Sequence, residues 1–217
     1  MTENEQGLFL AGKAGAMALH DRRMRRLTEP LYSGTLGCTE GRFSVMRDGR
    51  YGFADSTGRE VVACQYDATG VYVGGYVAVE KDGKYGILDA EGLTLLPAIY
   101  DGGVARGRMY EFHDGRALVA SGGKCTFVDT AGRLIMPLLL DDAYHYTEGL
   151  AAVRIGERWG YIDTAGDVYI PTVFEIASPF RDGSAEVVYL GQKMKIDRQG
   201  KCINNCNGII SWRELKE

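Results

Sequence analysis

The chain predicts an all-β fold: a tandem array of six antiparallel β-meander repeats, each about 34 residues long with three strands. Three observations carry this. Asp-x-x-Gly recurs at Asp55/Gly58, Asp89/Gly92, Asp129/Gly132, Asp163/Gly166 and Asp197/Gly200, with one constant interval except for a longer step from Asp89 to Asp129. Apolar residues alternate with a period of two in the same place in every copy, the signature of a strand with one buried face. The composition, 30 glycines and 13 tyrosines against 5 prolines, suits many short strands joined by tight turns.

Each repeat opens on a glycine at a fixed distance ahead of its aspartate: Gly41, Gly75, Gly115, Gly149 and Gly183. One period back from Asp55 lies Asp21, and Gly7 stands that same distance ahead of it, so a sixth, degenerate copy begins the chain. Repeats 1 to 6 then run approximately 7–40, 41–74, 75–114, 115–148, 149–182 and 183–217, read as a single repeat domain over 1–217. The first strand buries the second and fourth residues after the glycine: Phe9/Ala11, Phe43/Val45, Val77/Val79, Ala117/Val119, Ala151/Val153 and Ala185/Val187. Asp48-Gly49 and Asp82-Gly83 are hairpin turns, because a primed turn needs residues that accept positive φ. In the second strand the pairs Tyr51/Phe53, Tyr85/Ile87, Cys125/Phe127 and Trp159/Tyr161 precede the aspartate. In the third, the sixth residue after the aspartate is apolar: Leu27, Val61, Leu95, Ile135, Tyr169 and Ile203.

These strings resemble the WG-repeat (KWG-repeat) family of bacterial β-repeat proteins. The match is best from Gly149 to Glu175, in "GLAAV", "RWGYIDTAG", Pro171 and Phe174-Glu175; "KYGILDAEG", Pro97 and Tyr100-Asp101 carry it in repeat 3. Repeat 1 ("AMALHD"), repeat 4 (Cys125-Thr126) and repeat 6 (Lys193-Met194) depart at the aromatic-glycine place. The resemblance implies a fold; the family has no single activity to transfer. A unit of about 34 residues is short for a propeller blade, and the terminal repeats are the degenerate ones, so the array is expected to be open or incompletely closed, with propeller-like closure as the alternative. "SWRELKE" suggests a short C-terminal helix, with Ser211 as N-cap and Glu214 completing a capping box.

The formal net charge of −4 argues against a nucleic-acid partner, and no apolar run approaches the roughly 20 residues a bilayer requires. The acidic start "MTENEQG" is unlike a signal peptide. Five cysteines, odd in number and mostly isolated, fit reduced thiols in the cytoplasm. The aspartates are read as turn residues capping backbone N–H groups. Cys202-x-x-x-Cys206 lacks the second ligand pair a zinc site needs, and His20, His113 and His145 lie in different repeats. No nucleophile motif, metalloprotease motif or phosphate loop is present. The expectation is therefore no catalytic residue, no metal, no cofactor and no enzyme.

One departure points to function. Repeat 3 is six residues longer than its neighbours, and the excess lies in "GGVARGRMYEFHDG". Insertions in repeat arrays map to loops, often on the binding face. Arg106, Arg108, Met109, Tyr110, Phe112 and His113 give the mixture enriched in interface cores. The expected function is a non-enzymatic protein–protein interaction module, compatible with an adaptor or partner-neutralising protein of a bacterial system. The alternative is a glycan- or peptide-binding module, which needs Tyr51, Tyr85 and Trp159 exposed along a groove. Finally, "HDRRMRRLTE" reads as the Asp turn of the worn first repeat rather than a nucleic-acid arm. Arg22, Arg23, Arg25 and Arg26 are placed at and just beyond that turn.

Overall fold

The structure, a computed structural model, describes residues 8–13, 15–102 and 110–206. Among the described residues all regular structure is β, in small antiparallel sheets of which none closes into a barrel. Residues 211–217, expected to be helical, lie outside them.

Two compact units divide the chain, Met1–Tyr100 and Asp101–Glu217. The first holds the hairpin Phe9–Lys13/Ala16–His20 and the sheets of repeats 2 and 3; the second holds the sheets of repeats 4, 5 and 6. The three strands expected per repeat are joined by a short lead strand of two residues: Cys38–Thr39, Ala68–Thr69, Phe112–His113, Asp142–Ala143 and Ile176–Ala177. Each lead strand comes from the end of the preceding sequence repeat. The chain is turned onto the next sheet by a backbone hydrogen bond twelve residues after the aspartate, as where the Asp67 amide donates to the Glu80 carbonyl and that of Asp141 to Arg154.

The core lies between successive sheets. In the second unit Phe127 of repeat 4 packs with Ala151, Val153 and Ile162 of repeat 5, whose other face sets Leu150, Trp159 and Tyr161 against Ala185, Val187 and Met194 of repeat 6. The first unit repeats the scheme, Phe53 and Tyr66 meeting Val77 and Val79. The first-strand pairs are buried as their alternation predicts, apart from half-buried Ala11. The third strand corrects the reading: Tyr169 and Ile203 are exposed, and the residue that enters the core comes seven after the aspartate, as Val62, Leu96 and Ile170. Pairing of Phe53 with Val62 and of Tyr161 with Ile170 turns that position inward.

All six Asp turns close identically. The Asp21, Asp55, Asp89, Asp129, Asp163 and Asp197 carboxylates each accept the amides two and four residues on, and each aspartate's carbonyl accepts the amide three on. The third position is left-handed throughout, and Met24, at φ 62°, does in repeat 1 what glycine does elsewhere. The hairpins at Asp48-Gly49 and Asp82-Gly83 have the two positive φ values their sequence predicts.

The glycine after the strand-two aromatic has another purpose. Tyr51 pairs with Tyr66 and Phe53 with Val62, so Ala63, Cys64 and Gln65 of the third strand stand opposite one residue of the second and bulge over Gly52. A Cβ on Gly52 would lie 2.4 Å from the Val62 carbonyl oxygen; on Gly86 it would lie 2.5 Å from that of Leu96, and on Gly160 2.6 Å from that of Ile170. These three repeats have seven-residue third strands, Glu60–Tyr66, Thr94–Tyr100 and Val168–Phe174. Where Ala18, Thr126 or Met194 replaces the glycine, the strand shrinks to isolated bridges (Met17–Tyr32, Val128–Leu134 and Cys125–Leu140 among them) or to Cys202–Asn204.

Candidate functional site

The loops that enter each first strand, and the Asp turns beside them, share one end of every sheet. Acidic side chains tie these entry loops together one period apart. Glu40 accepts the Gly74 and Gly75 amides at 2.7 Å, Asp114 accepts that of Gly149 at 2.7 Å, and Glu148 accepts that of Gly183 at 3.1 Å. The frame is thus fixed by carboxylate-to-amide bonds, stronger than neutral ones.

The insertion of repeat 3 is tied at both ends to the sheet of repeat 4. Arg106, Arg108 and Met109 lie outside the described residues; the residues that bound them are well tied. The Tyr110 hydroxyl donates to the Asp101 carbonyl and its amide to the Leu118 carbonyl at 2.9 Å, while the Asp101 carboxylate accepts the Gly122 amide at 2.8 Å. Tyr110 is buried at φ 62°. Phe112 and His113 are half-buried lead-strand residues paired with Ala117 and Arg116. Of the six candidates, then, these three are framework at the base of the loop.

The structure also brings in a residue the sequence kept apart. The rings of His113 and His145 lie 4.4 Å apart, and a Glu111 carboxylate oxygen is 3.6 Å from His113 Nε2. The two histidines stand two and four residues before Gly115 and Gly149. Measured from those glycines they occupy the same entry loop of adjacent repeats, a signal that counting from the preceding aspartates hides. Among the described residues no group of three or more His, Cys, Asp or Glu could hold a metal ion.

The other candidates resolve into architecture. Trp159 is buried and Tyr51 and Tyr85 are half-buried, so the aromatics pack rather than line an open platform. The reading of all five cysteines as reduced thiols is corrected: Cys202 and Cys206 form a disulfide, their Cα atoms 5.6 Å apart. The left-handed turn at Asn205 (φ 58°) folds Cys206 back to the strand end. Burial pushes the Cys125 thiol up to about 12, aided by Asp142 and Asp141, which leaves it protonated and inert. The arginine run sits at the Asp21 turn as expected. Arg25 pairs with Asp21 at 2.7 Å, as Arg59 and Arg133 pair with Asp55 and Asp129, and Arg26 pairs with Glu29 at 3.2 Å.

Three segments, residues 51–85, 126–159 and 159–191, match the family of the WG containing repeat. The chain carries WG repeats. Each letter of the WG signature has a task here. In repeat 5 the basic residue, Arg158, reaches Glu175 at 3.3 Å, Trp159 fills the space between sheets, and Gly160 admits the bulge. The closing acid, Glu175, accepts the Gly191 amide at 3.1 Å, pinning the hairpin of the next WG repeat. Lys124 and Asp141 do the same in repeat 4, with the Gly156 amide at 2.7 Å.

Solved structures that align with the chain share little sequence with it. A eukaryotic initiation factor is 10% identical, with a TM-score of 0.49 over 91% of this chain and 62% of that one, so the WG-repeat chain spans less than two thirds of its length. Hsv2p of Kluyveromyces lactis is 9% identical, with a TM-score of 0.43 over 100% of this chain and 78% of that one. A protein of unknown function from Bacteroides caccae is 15% identical, with a TM-score of 0.32 over 93% and 96%. No curated protein matches the chain.

Proposed function

We propose that this WG-repeat chain is a non-enzymatic protein–protein interaction module that presents the repeat 3 insertion to a partner protein, as an adaptor or partner-neutralising protein does. The observation that carries the reading is the rooting of the insertion. Both of its ends, Asp101 and Tyr110, are hydrogen-bonded into a regular frame, so the inserted segment starts and ends at fixed points. Fixed ends lower the ordering cost of docking. Buried Trp159 speaks against the aromatic-platform alternative.

The test uses the full chain and an Arg106→Ser/Arg108→Ser/Met109→Ser variant as affinity baits, with captured proteins identified and quantified. The variant is expected to lose a partner at least tenfold while its thermal unfolding is unchanged. Equal recovery of the same proteins by both baits would overturn the proposal. Tyr110 and Phe112 stay intact, because their loss would report on folding instead.

A further inference from the structure

Repeat 6 ends its sheet differently from the repeats that carry the WG glycine. In repeats 2, 3 and 5 the third strand holds both the fifth and the ninth residue after the aspartate, and it pairs again beyond them as Tyr51–Tyr66, Tyr85–Tyr100 and Trp159–Phe174. In repeat 6 those two positions are Cys202 and Cys206, joined by the disulfide with their Cα atoms 5.6 Å apart. The left-handed Asn205 turns the chain back between them, and among the described residues the third strand is Cys202–Asn204 alone. Two pairs hold it, Lys195–Asn204 and Ile196–Cys202. Met194 stands where the other three repeats have Gly52, Gly86 and Gly160, so the bulged course of a full strand is closed to repeat 6 with or without the bond. The disulfide stands in for the far end of that strand. Its two sulfurs differ in access: Cys202 is 7% exposed within the core cluster of Trp159 and Met194, whereas Cys206 is half-buried at its margin and preceded by exposed Asn204 and Asn205.

We propose that Cys202–Cys206 is a thiol–disulfide exchange site for a dithiol reductant, and that its reduction releases the third strand of repeat 6. The reductant's thiolate attacks the Cys206 sulfur, the bond to Cys202 breaks, and Cys202 leaves as a thiolate that takes a proton. The reductant's second thiol then attacks the mixed disulfide, which frees Cys206 as a thiol and leaves the reductant as its own disulfide. Two electrons and two protons pass to the chain. The reduced Cys202 thiol has an acceptor at hand, the Asn204 carbonyl oxygen 3.4 Å from its sulfur. A three-residue edge strand held by two pairs belongs to the low-stability end of a fold once its staple is gone. The other cysteines do not compete in the exchange. Burial pushes the Cys38 and Cys64 thiols up, as it does that of Cys125, and a protonated thiol is a poor nucleophile.

The experiment treats the folded, oxidised full chain with dithiothreitol at neutral pH, maps alkylated cysteines by mass spectrometry, and follows amide hydrogen exchange before and after. Cys202 and Cys206 should be alkylated together while Cys125 stays unmodified. Exchange over residues 202–204 should speed up about tenfold or more, with residues 168–174 unchanged. Limiting reduced glutathione, quenched in acid, should be trapped mainly on Cys206. Cys202→Ser/Cys206→Ser should exchange residues 202–204 as fast without reductant as the reduced chain does, and should not respond to dithiothreitol. A bond that resists dithiothreitol until the chain unfolds, glutathione trapped mainly on Cys202, or protection of residues 202–204 that survives reduction or the double substitution would each overturn the proposal.

Discussion

Repeats 4 and 5 are neighbours in one unit and differ in a way that isolates the physics of the WG signature. Both have the Asp turn, a first strand of six residues and a closing acid. Repeat 5 has Trp159-Gly160 and a seven-residue third strand, whereas repeat 4 has Cys125-Thr126 and keeps only bridges at Leu134 and Leu140. The Thr126 hydroxyl donates instead to the Met136 carbonyl at 2.7 Å, meeting with a side chain what the ladder no longer supplies. The missing Cβ of Gly160 is therefore what lets the third strand bulge in close, and Thr126 shows the workable substitute when it cannot.

Gly160→Ala is the largest test of that comparison. Its Cβ would stand 2.6 Å from the Ile170 carbonyl oxygen, against backbone that cannot swing aside. A cost of about 3 kcal/mol is expected, read by denaturant unfolding, with hydrogen-exchange protection lost first over residues 168–174. Unchanged protection there would show that the glycine is incidental. Thr126→Val should cost about 1–2 kcal/mol by leaving the Met136 carbonyl without its donor; no loss would mean that water serves as well. The smallest effect concerns acid. A backbone hydrogen bond from Arg25 holds the Asp21 carboxyl below the usual aspartate range, one from Arg133 does so for Asp129, and the Lys124 and Gly156 bonds do so for Asp141. A carboxylate depressed in the folded state stabilises it above the ordinary aspartate value and loses that contribution as pH falls through the folded one. Thermal stability should accordingly be flat near neutrality and fall below about pH 4, less steeply in Asp141→Asn. An identical acid limb in that variant would remove Asp141 from the set.

Much of this was legible beforehand. The Asp and Gly spacings located all six turns, including the one closed by Met24, because a turn is settled by a few adjacent residues. First-strand burial followed from alternation for the same reason. Third-strand burial was misplaced by one residue, since a bulge breaks the period of two on which such counting depends. The candidate loop was found as a break in the period, yet Tyr110 proved to be a buried anchor: aromatic and basic residues look alike in sequence whether they face a partner or the core.

By itself the sequence determined the class of fold, the six turns and the register of the first strands, all products of short-range sterics and period-two patterning. Only the tertiary structure decided which repeats complete a third strand, since that depends on a carbonyl meeting the place where a Cβ would be. It alone joined His113 to His145, Cys202 to Cys206, and Glu40, Asp114 and Glu148 to amides about one period away. Such contacts depend on how one repeat lies on the next, and the chain's local preferences do not contain that distance.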